Sequence, residues 1–448
     1  MTASTPRRVP ARAVAALFLE RQHLDRPRGR RLSAARLTRF VGDVGGIQLD
    51  TINVVERAHL LTLWSRFDVF DRRAFERLAY ERRVLYEYWA HAACLVPIGH
   101  VPMWRHVMDG PRWTSRAHTW GRWAKKHLPV LAEVEDAIRA RGPLASADFE
   151  DPSRRRRGGW WDRKPATHAL DYLWMSGRTA VHSRVHFHKR YDLLERVVAN
   201  GLGDGVPDAP AFWRWHLQRS LHAMGAATLA DLKMYLSFPR GHEERRSALR
   251  DAVREGDVVE LAVETLGRPV PWFAHASDLP RLSRAAQGPV PSRGTALLSP
   301  FDSFLWHRDR VRRLFGYDYT IEVYVPEAKR RHGYYSLPIL HDGHVIGRLD
   351  PKTHRDERRL ELKAVHFEPW FATGKASPGA FAERVERDAA LRGTAEAIAS
   401  LARFVRAETV TLARVSPSSL AAPLRRALAA VSPGATPAAP ARAEATTR

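Results

Sequence analysis

The chain has 448 residues, of which 44% are hydrophobic and 27% charged, a balance that supports packed cores and excludes wholesale disorder. Lysine and arginine number 72 against 49 acidic residues, and the resulting formal net charge of +23 predicts a polyanionic partner. The single cysteine, Cys94, excludes an internal disulfide, and no apolar run approaches the ~20 residues that cross a bilayer, so we expect a cytoplasmic, nucleoid-associated protein.

Residues 1–10 are expected to be flexible, and residues 11–110 to form a first winged-helix module. Helical patterns cover about 12–24 and then a stretch that begins at the N-cap Ser33 and ends at Gly45 and Gly46. The segment IQLDTINVV alternates apolar and polar residues, two further helices follow, and VLYEYWAHAACLVP has a strand-like pattern. Helices followed by a short sheet are typical of a winged helix.

The same order recurs twice, which predicts a second winged helix over 111–205 and a third over 206–290. The segment KPATHALDYLWMSG predicts a helix and RTAVHSRVHFHKRYDLL a basic hairpin. Gly142 to Asp148 and Gly225 to Asp231 repeat one spacing between a helix end and the next acidic residue.

The hairpin histidines His182, His186 and His188 could bind a metal, but they lack an acidic or thiolate partner nearby. A basic wing that faces phosphate is the favoured interpretation, and we predict neither a metal site nor a cofactor.

From about residue 291 the pattern changes to strands, in TIEVYVP, GYYSLPILHDGHVIGRLD and RRLELKAVHFEP. These predict a β-barrel-like domain over 291–372, with a hairpin turn at Asp342 and Gly343. A helical segment is expected over 373–431 and a disordered Pro/Ala-rich tail over 432–448. The expected fold class is therefore α+β and mostly helical: three tandem winged-helix modules, a barrel-like domain and C-terminal helices.

The segment GGIQLDTINVV carries the candidate chemistry. In extended backbone, Gln48 and Asp50 project to one side, and Ile47 and Leu49 to the other. A neutral amide beside a carboxylate can handle a water molecule, although Gln-x-Asp on a loop is more often a turn device. Common nucleotide-binding and hydrolase motifs, such as GxxxxGK, HExxH and GxSxG, are absent from the sequence.

Five blocks, in order along the chain, carry a resemblance to a known family. They are GGIQLDTINVVERAHLLTLWSRF, LYEYWAHAACLVP, GWWDRKPATHALDYLWMSG, KRYDLLERV and LLSPFDSFLWHRDRVRRLFGYDYTIEVYVPEAKRRHGYYSLPIL. Together they resemble the tandem winged-helix DNA glycosylases. The resemblance runs over about residues 12–370. That family includes a YcaQ-like branch, which unhooks crosslinks and carries Gln-x-Asp, and an AlkZ-like branch, which carries Gln-x-Gln. Gln48-Leu49-Asp50 is similar to the first pattern.

This resemblance implies an enzyme that hydrolyses the N-glycosidic bond of N7-alkylated purines, including bulky adducts and interstrand crosslinks, in double-stranded DNA. Asp50 is expected to face the sugar and accept a proton from water, and Gln48 to hold that water. The lysine nearest in sequence is Lys125, so a monofunctional enzyme that leaves an abasic site is expected. The alternative is a non-enzymatic winged-helix transcriptional regulator, which the architecture alone supports equally. Three DNA-binding modules make a monomer sufficient.

A hairpin of the β domain is expected to straddle the DNA, and residues 337–349 are the candidate, with barrel structure as the alternative. Phosphate contacts are expected from basic residues spread along the chain. These are Arg154, Arg155, Arg156, Arg157, Arg178, Arg184, Arg190, Arg312, Arg313, His341 and His344.

Overall fold

The computed structural model describes residues 6–28, 31–67, 70–149, 165–198, 202, 205–264 and 270–431. They form a mixed α/β structure with three small sheets and one five-stranded sheet. Arg154 to Arg157 and the predicted tail at 432–448 lie outside the described residues. None of the helices in these ranges combines the length and apolar character needed to span a membrane.

The first small sheet forms from the opening part of the chain. Its elements, with the strand and helix that precede them, are β1 (Arg7–Pro10), α1 (Ala11–Arg21), α2 (Ala34–Val44), β2 (Ile47–Gln48), α3 (Ala58–Trp64), α4 (Arg72–Glu76), β3 (Leu85–Trp89) and β4 (Ala93–Pro97). Helix α2 begins as predicted: the Ser33 side chain accepts from the Arg36 N–H. It ends at Gly45, whose φ of +80° favours glycine.

The second and third small sheets follow in the same order of elements. Their elements are α5 (Val101–Met108), α6 (Thr119–Lys126), α7 (Leu128–Arg141), β5 (Leu144–Ala145), α8 (Pro165–Met175), β6 (Thr179–Val185), β7 (His188–Leu193), α9 (Leu194–Val197), α10 (Ala209–Met224), β8 (Ala226–Ala227), α11 (Leu229–Met234), α12 (His242–Glu255), β9 (Val258–Glu264) and β10 (Trp272–His275).

The three small sheets share one connectivity. In each sheet a helix is followed by a two-residue strand, then by further helical structure, and then by a β-hairpin. The second strand of the hairpin pairs antiparallel with the two-residue strand. The pairs are β2 with β4, β5 with β7, and β8 with β10. The repeated order in the sequence therefore corresponds to a repeated connectivity in the structure.

The start of the chain packs against the third sheet. Strand β1 pairs parallel with β9, from Arg7 opposite Leu261 to Pro10 opposite Glu264. The buried ring of Phe18 in α1 stacks on Phe304, with centroids 5.4 Å apart. The prediction of a flexible segment over 1–10 is therefore wrong for residues 7–10, because a sequence-distant strand supplies their hydrogen-bond partners.

The last sheet has five strands in the order β11-β12-β13-β14-β15. The remaining elements are α13 (Leu279–Gln287), β11 (Thr295–Leu297), α14 (Arg308–Phe315), β12 (Leu337–His341), β13 (His344–His354), β14 (Arg359–Phe367), α15 (Pro369–Ala372), α16 (Arg387–Phe404), β15 (Thr409–Ser416) and α17 (Ala421–Val431). Strand β15 pairs parallel with β14, so the segment predicted to be helical over 373–431 completes the sheet. Within the described residues β11 and β15 are unpaired edges, so the sheet is open and the barrel prediction is wrong.

The segment TIEVYVP, predicted as a strand, is a loop. Its burial does not follow the alternation of its sequence: the adjacent Glu322 and Val323 are both buried, while Tyr324 is exposed. The alternating pattern therefore does not correspond to pairing in a sheet.

A buried carboxylate joins the third small sheet to α14. Asp231 Oδ1 lies 2.7 Å from His307 Nδ1, and Asp231 also accepts hydrogen bonds from Arg310 and Arg313. Burial alone would raise the pKa of Asp231, but the bond to His307 and the two guanidinium charges hold that pKa well below its ordinary range. The carboxylate is therefore ionised and fully paired in the folded protein.

Removal of that charge should destabilise the fold. Asp231→Asn leaves the buried Arg310 and the partly exposed Arg313 without their anion, so we expect the free energy of unfolding to fall by about 3–5 kcal/mol. Urea denaturation followed by circular dichroism measures the change. The control Asp309→Asn breaks an exposed pair with Arg312 and should change the free energy by less than about 1 kcal/mol. Equal effects of the two substitutions would contradict the role given to Asp231.

Candidate active site

Gln48 and Asp50 share the outer side of an extended segment. Ile47 and Leu49 are buried in the core beneath α2, whereas Gln48 and Asp50 are half-buried. The Leu49 N–H donates to the Ala93 carbonyl at 2.8 Å, which continues the pairing of β2 with β4 by one residue. The predicted alternation is therefore confirmed, and it places the two side chains where solvent and a ligand can reach them.

The connection that carries Asp50 distinguishes the first small sheet from the other two. A single residue, Thr228, separates β8 from α11, whereas residues 49–57 separate β2 from α3. The repeated acids Asp148 and Asp231 each accept the N–H of the residue three positions earlier, at 2.8 Å. Asp50 instead accepts the Ile52 N–H at 2.8 Å. The first sheet therefore has a longer loop, and its carboxylate is not used as a helix cap.

Arg355, at the turn between β13 and β14, anchors this loop. Its guanidinium donates to the Asn53 carbonyl and side-chain oxygens at 3.2 and 2.9 Å, and to the Val55 carbonyl at 3.1 Å. The Thr353 N–H donates to the Val54 carbonyl at 3.0 Å. The five-stranded sheet thus fixes a loop that belongs to the first small sheet.

The surroundings of Asp50 are partly apolar. Burial raises the pKa of Asp50 above its ordinary value, while the Ile52 N–H and the Arg57 charge oppose that rise. Among the described residues none hydrogen-bonds the Gln48 carboxamide. The site therefore combines a moderately desolvated carboxylate with an amide that is available to a ligand or water.

Arg57 is held by the hairpin of the second small sheet. It donates to the Thr51 carbonyl, and its guanidinium carbon lies 4.2 Å from the centroid of Phe187. Arg184 lies over the same ring at 4.3 Å. His186 and Phe187 both have positive φ, 49° and 70°, which is uncommon for such residues. This hairpin tip is therefore shaped to place an aromatic ring against Arg57.

Two of the predicted phosphate contacts bind buried carboxylates instead. Arg184 donates to both oxygens of Glu87, at 2.7 and 2.8 Å, and only 11% of its side chain is exposed. Arg313 donates to the buried Asp231. A phosphate contact from Arg184 is contradicted, because its guanidinium is buried against Glu87, whereas the Arg313 side chain is 27% exposed and its phosphate contact stays a prediction.

Three other predicted arginines stay near the surface. Arg178 pairs with Glu135, Arg190 donates to the Pro143 carbonyl at 2.7 Å, and Arg312 pairs with Asp309 at 2.9 Å. Their side chains are 44%, 35% and 62% exposed, so a phosphate contact from each stays a prediction.

The hairpin predicted to straddle DNA lies in the interior. His341 and His344 are each 6% exposed. His341 Nδ1 lies 2.8 Å from Thr295 Oγ1, and the His344 ring packs against Phe381. The DNA-contact prediction for these histidines is wrong, because β12 and β13 are central strands covered by helices.

The histidines of the β6–β7 hairpin do not form a metal-binding cluster. His186 and His188 are exposed at its tip, and His182 Nδ1 lies 3.1 Å from Ser183 Oγ. In the part of the chain that the structure describes, no group of three His, Cys, Asp or Glu residues could hold a metal ion.

Sequence reasoning missed Arg57, Arg355 and an open basic pocket next to the loop. The pocket has a volume of about 460 Å³ and lies between the β13–β14 turn and the end of α16. Its charged lining residues are Arg72, Arg355, Arg358, Arg406 and one acid, Glu56, which pairs with Arg72. No local motif marks them, since they come together only through packing of the five-stranded sheet on the first small sheet.

The chain is similar to known proteins both in sequence and in fold. A family model described as DNA glycosylase AlkZ-like matches residues 41–404, a range that includes Gln48 and Asp50. Among solved structures, the DNA glycosylase AlkZ of Streptomyces sahachiroi has a similar fold, with a TM-score of 0.58 and 19% sequence identity. That match covers 91% of this chain and 100% of the other.

Loss of the Arg355 anchor should loosen the loop. The two hydrogens of Arg355 Nη2 are shared among three acceptor oxygens, and Arg355→Ala removes these bonds at about 1 kcal/mol per hydrogen, so we expect amide hydrogen exchange over residues 49–57 to accelerate at least tenfold. Exchange mass spectrometry measures this. Arg358→Ala is the matched control, because Arg358 occupies the same turn but pairs with the exposed Glu408. Unchanged exchange in Arg355→Ala would show that the loop is held by other contacts.

Proposed function

The chain belongs to the AlkZ-like DNA glycosylase family, and from that premise we propose that it releases N7-alkylated purines, including bulky adducts and interstrand crosslinks, and leaves an abasic site. The observation that carries the proposal is the pair Gln48 and Asp50 on one accessible side of a braced loop. Family membership favours an enzyme over a non-enzymatic regulator, and such a regulator has no need of this pair. The Gln-x-Asp pattern supports the crosslink-unhooking branch.

The chemistry of the substrate explains why so few groups are needed. An N7-alkylated purine is cationic, so it leaves without protonation by the enzyme. As the bond from C1′ to N9 breaks, its electron pair neutralises the base and positive charge develops on the sugar. The ionised carboxylate of Asp50 stabilises that charge, and a water oxygen forms the new bond to C1′.

Gln48 and Asp50 are suited to hold that water. The Cα atoms of residues two apart in extended backbone are separated by about 6.6 Å. Because the Gln48 side chain is long and flexible, its amide can come within the roughly 5 Å of the Asp50 carboxylate that one water with two hydrogen bonds of about 2.8 Å spans. The Gln48 amide orients the water, and Asp50 takes its proton. The basic neighbour of Asp50 is Arg57, a guanidinium that cannot form a Schiff base, which supports a monofunctional enzyme.

The DNA is bound through shape and charge. We propose that the three small sheets and their helices are winged-helix modules, an inference supported by their shared connectivity. The basic pocket at the end of the loop, lined by Val55, Arg355 and Arg406, supplies phosphate contacts. An open site of this kind accepts a bulky or crosslinked base without drawing it into a closed pocket. One copy of the chain supplies all of these parts, so a monomer suffices.

Base release from DNA that contains 7-methylguanine or a nitrogen-mustard crosslink tests the function. We expect wild type to create alkali-labile sites, Asp50→Asn to reduce the single-turnover rate at least 100-fold, and Gln48→Ala to reduce it about tenfold or more, since each loses a transition-state interaction. DNA affinity should change little. Borohydride should trap no covalent adduct.

Wild type that binds DNA but releases no base would support the regulator instead. Full activity of Asp50→Asn would overturn the mechanism while leaving the function in place.

The pH dependence of base release tests the role of Arg57. Asp50 acts when ionised, so activity is present above its pKa and is lost as the pH falls through it. Arg57→Gln removes a charge that lowers the pKa of Asp50, and the acid limb of the rate profile should therefore move to higher pH. Arg57→Lys keeps the charge and should shift the limb less. Identical acid limbs in Arg57→Gln and wild type would rule out this electrostatic coupling.

A further inference from the structure

Tyr324 presents an aromatic ring to solvent beside the candidate active site. Its exposure is 75%, the largest among the bulky apolar and aromatic side chains of the described residues. Its neighbour Val323 is buried in the same apolar cluster as Val55 and Ala58, which flank the loop that carries Asp50. Val323 thus packs in a cluster that includes loop residue Val55, while the adjacent Tyr324 ring stays exposed to solvent.

The backbone around Tyr324 is fixed on both sides. The buried Glu322 carboxylate accepts the N–H groups of Arg331, His332 and Gly333 at 2.9, 2.8 and 3.0 Å. Arg330 Nε donates to the Val325 carbonyl at 2.8 Å. The exposed ring therefore projects from an ordered loop, and little conformational entropy is lost when a ligand contacts it.

The ring is neutral under physiological conditions. Burial of part of the side chain, the Asp50 carboxylate and Tyr334 all raise the pKa of Tyr324 above the ordinary tyrosine value. The electrostatic influence of Asp50 agrees with the packing in placing the two residues on one surface. A protonated phenol is neither a base nor a nucleophile near neutral pH, so its chemistry here is that of a flat amphipathic surface.

We propose that Tyr324 is a substrate contact that stacks on a nucleobase of the DNA next to the nucleotide whose glycosidic bond is broken. The inference rests on the proposed function, because a sugar presented to Asp50 brings the adjoining bases to this surface. Stacking needs a flat, fixed and uncharged ring and tolerates any base sequence. A ring at this position also covers one side of the site and limits movement of the DNA away from Asp50.

Tyr324→Ala and Tyr324→Phe separate stacking from hydrogen bonding by the hydroxyl. Base stacking on an aromatic side chain corresponds to about 5- to 150-fold in affinity. We expect Tyr324→Ala to weaken binding to DNA containing 7-methylguanine within that range and to slow single-turnover release at subsaturating enzyme, while Tyr324→Phe stays within about threefold of wild type. Leu128→Ala is the control for loss of an exposed apolar side chain, since Leu128 is 60% exposed on α7.

A fluorescent base reports the contact itself. With 2-aminopurine placed next to the lesion and Asp50→Asn used to prevent turnover, binding should change the emission, and the additional Tyr324→Ala substitution should abolish that change. Thermal unfolding midpoints should agree among the variants, since the ring is exposed. If the variants with Tyr324→Ala show the same affinity, rate and emission change as the proteins that retain Tyr324, the stacking role is overturned. The proposed function still stands in that case, provided that the wild-type protein releases the base. Absence of base release by wild type overturns both.

Discussion

The position of one carboxylate depends on how a short extended segment is held at its two ends. Burial of Ile47 and Leu49 fixes which side of the backbone Asp50 occupies, and the hydrogen bonds of Arg355 to Asn53 and Val55 fix where the following loop runs. The first constraint is local, whereas the second comes from a strand turn about 300 residues away. A site built this way is rigid without being enclosed, and a duplex with a bulky adduct needs that combination.

Electrostatics at the site come from opposing influences on Asp50. Burial favours the neutral acid, and the Ile52 N–H and Arg57 favour the ionised form. Arg57 in turn lies against Phe187, which belongs to the hairpin of the second small sheet. Arg184 of the same hairpin binds Glu87 of the first small sheet. The two sheets are thus joined beside the site, and the tip of the hairpin that is expected to contact phosphate also supports the loop. Desolvation strengthens the interaction of the carboxylate with developing positive charge, since the effective dielectric constant is lower there than in water.

Much of this arrangement follows from local sequence patterns. The cap at Ser33, the glycine at Gly45 and the alternation around Asp50 were predictable because each depends on a few neighbouring residues. The predictions failed where distant contacts decide the outcome: β1 needs β9 as its partner, and Arg184 needs Glu87. His341 and His344 have polar, turn-flanking positions in the sequence, but helices cover their strands. Arg57 and Tyr324 lie in blocks that resemble the family, but no local pattern gave either residue a role, and Arg355 reaches the loop only through the fold.

The central claim is that an ionised Asp50 faces the sugar as positive charge develops on it. The most direct measurement compares the affinity for DNA carrying a cationic pyrrolidine in place of the sugar with that for DNA carrying a neutral tetrahydrofuran, since the first mimics the charged transition state. The account predicts that wild type binds the pyrrolidine DNA more tightly, and that Asp50→Asn loses this preference while it binds tetrahydrofuran DNA as wild type does. An equal preference in both proteins, or none in wild type, would contradict the claim.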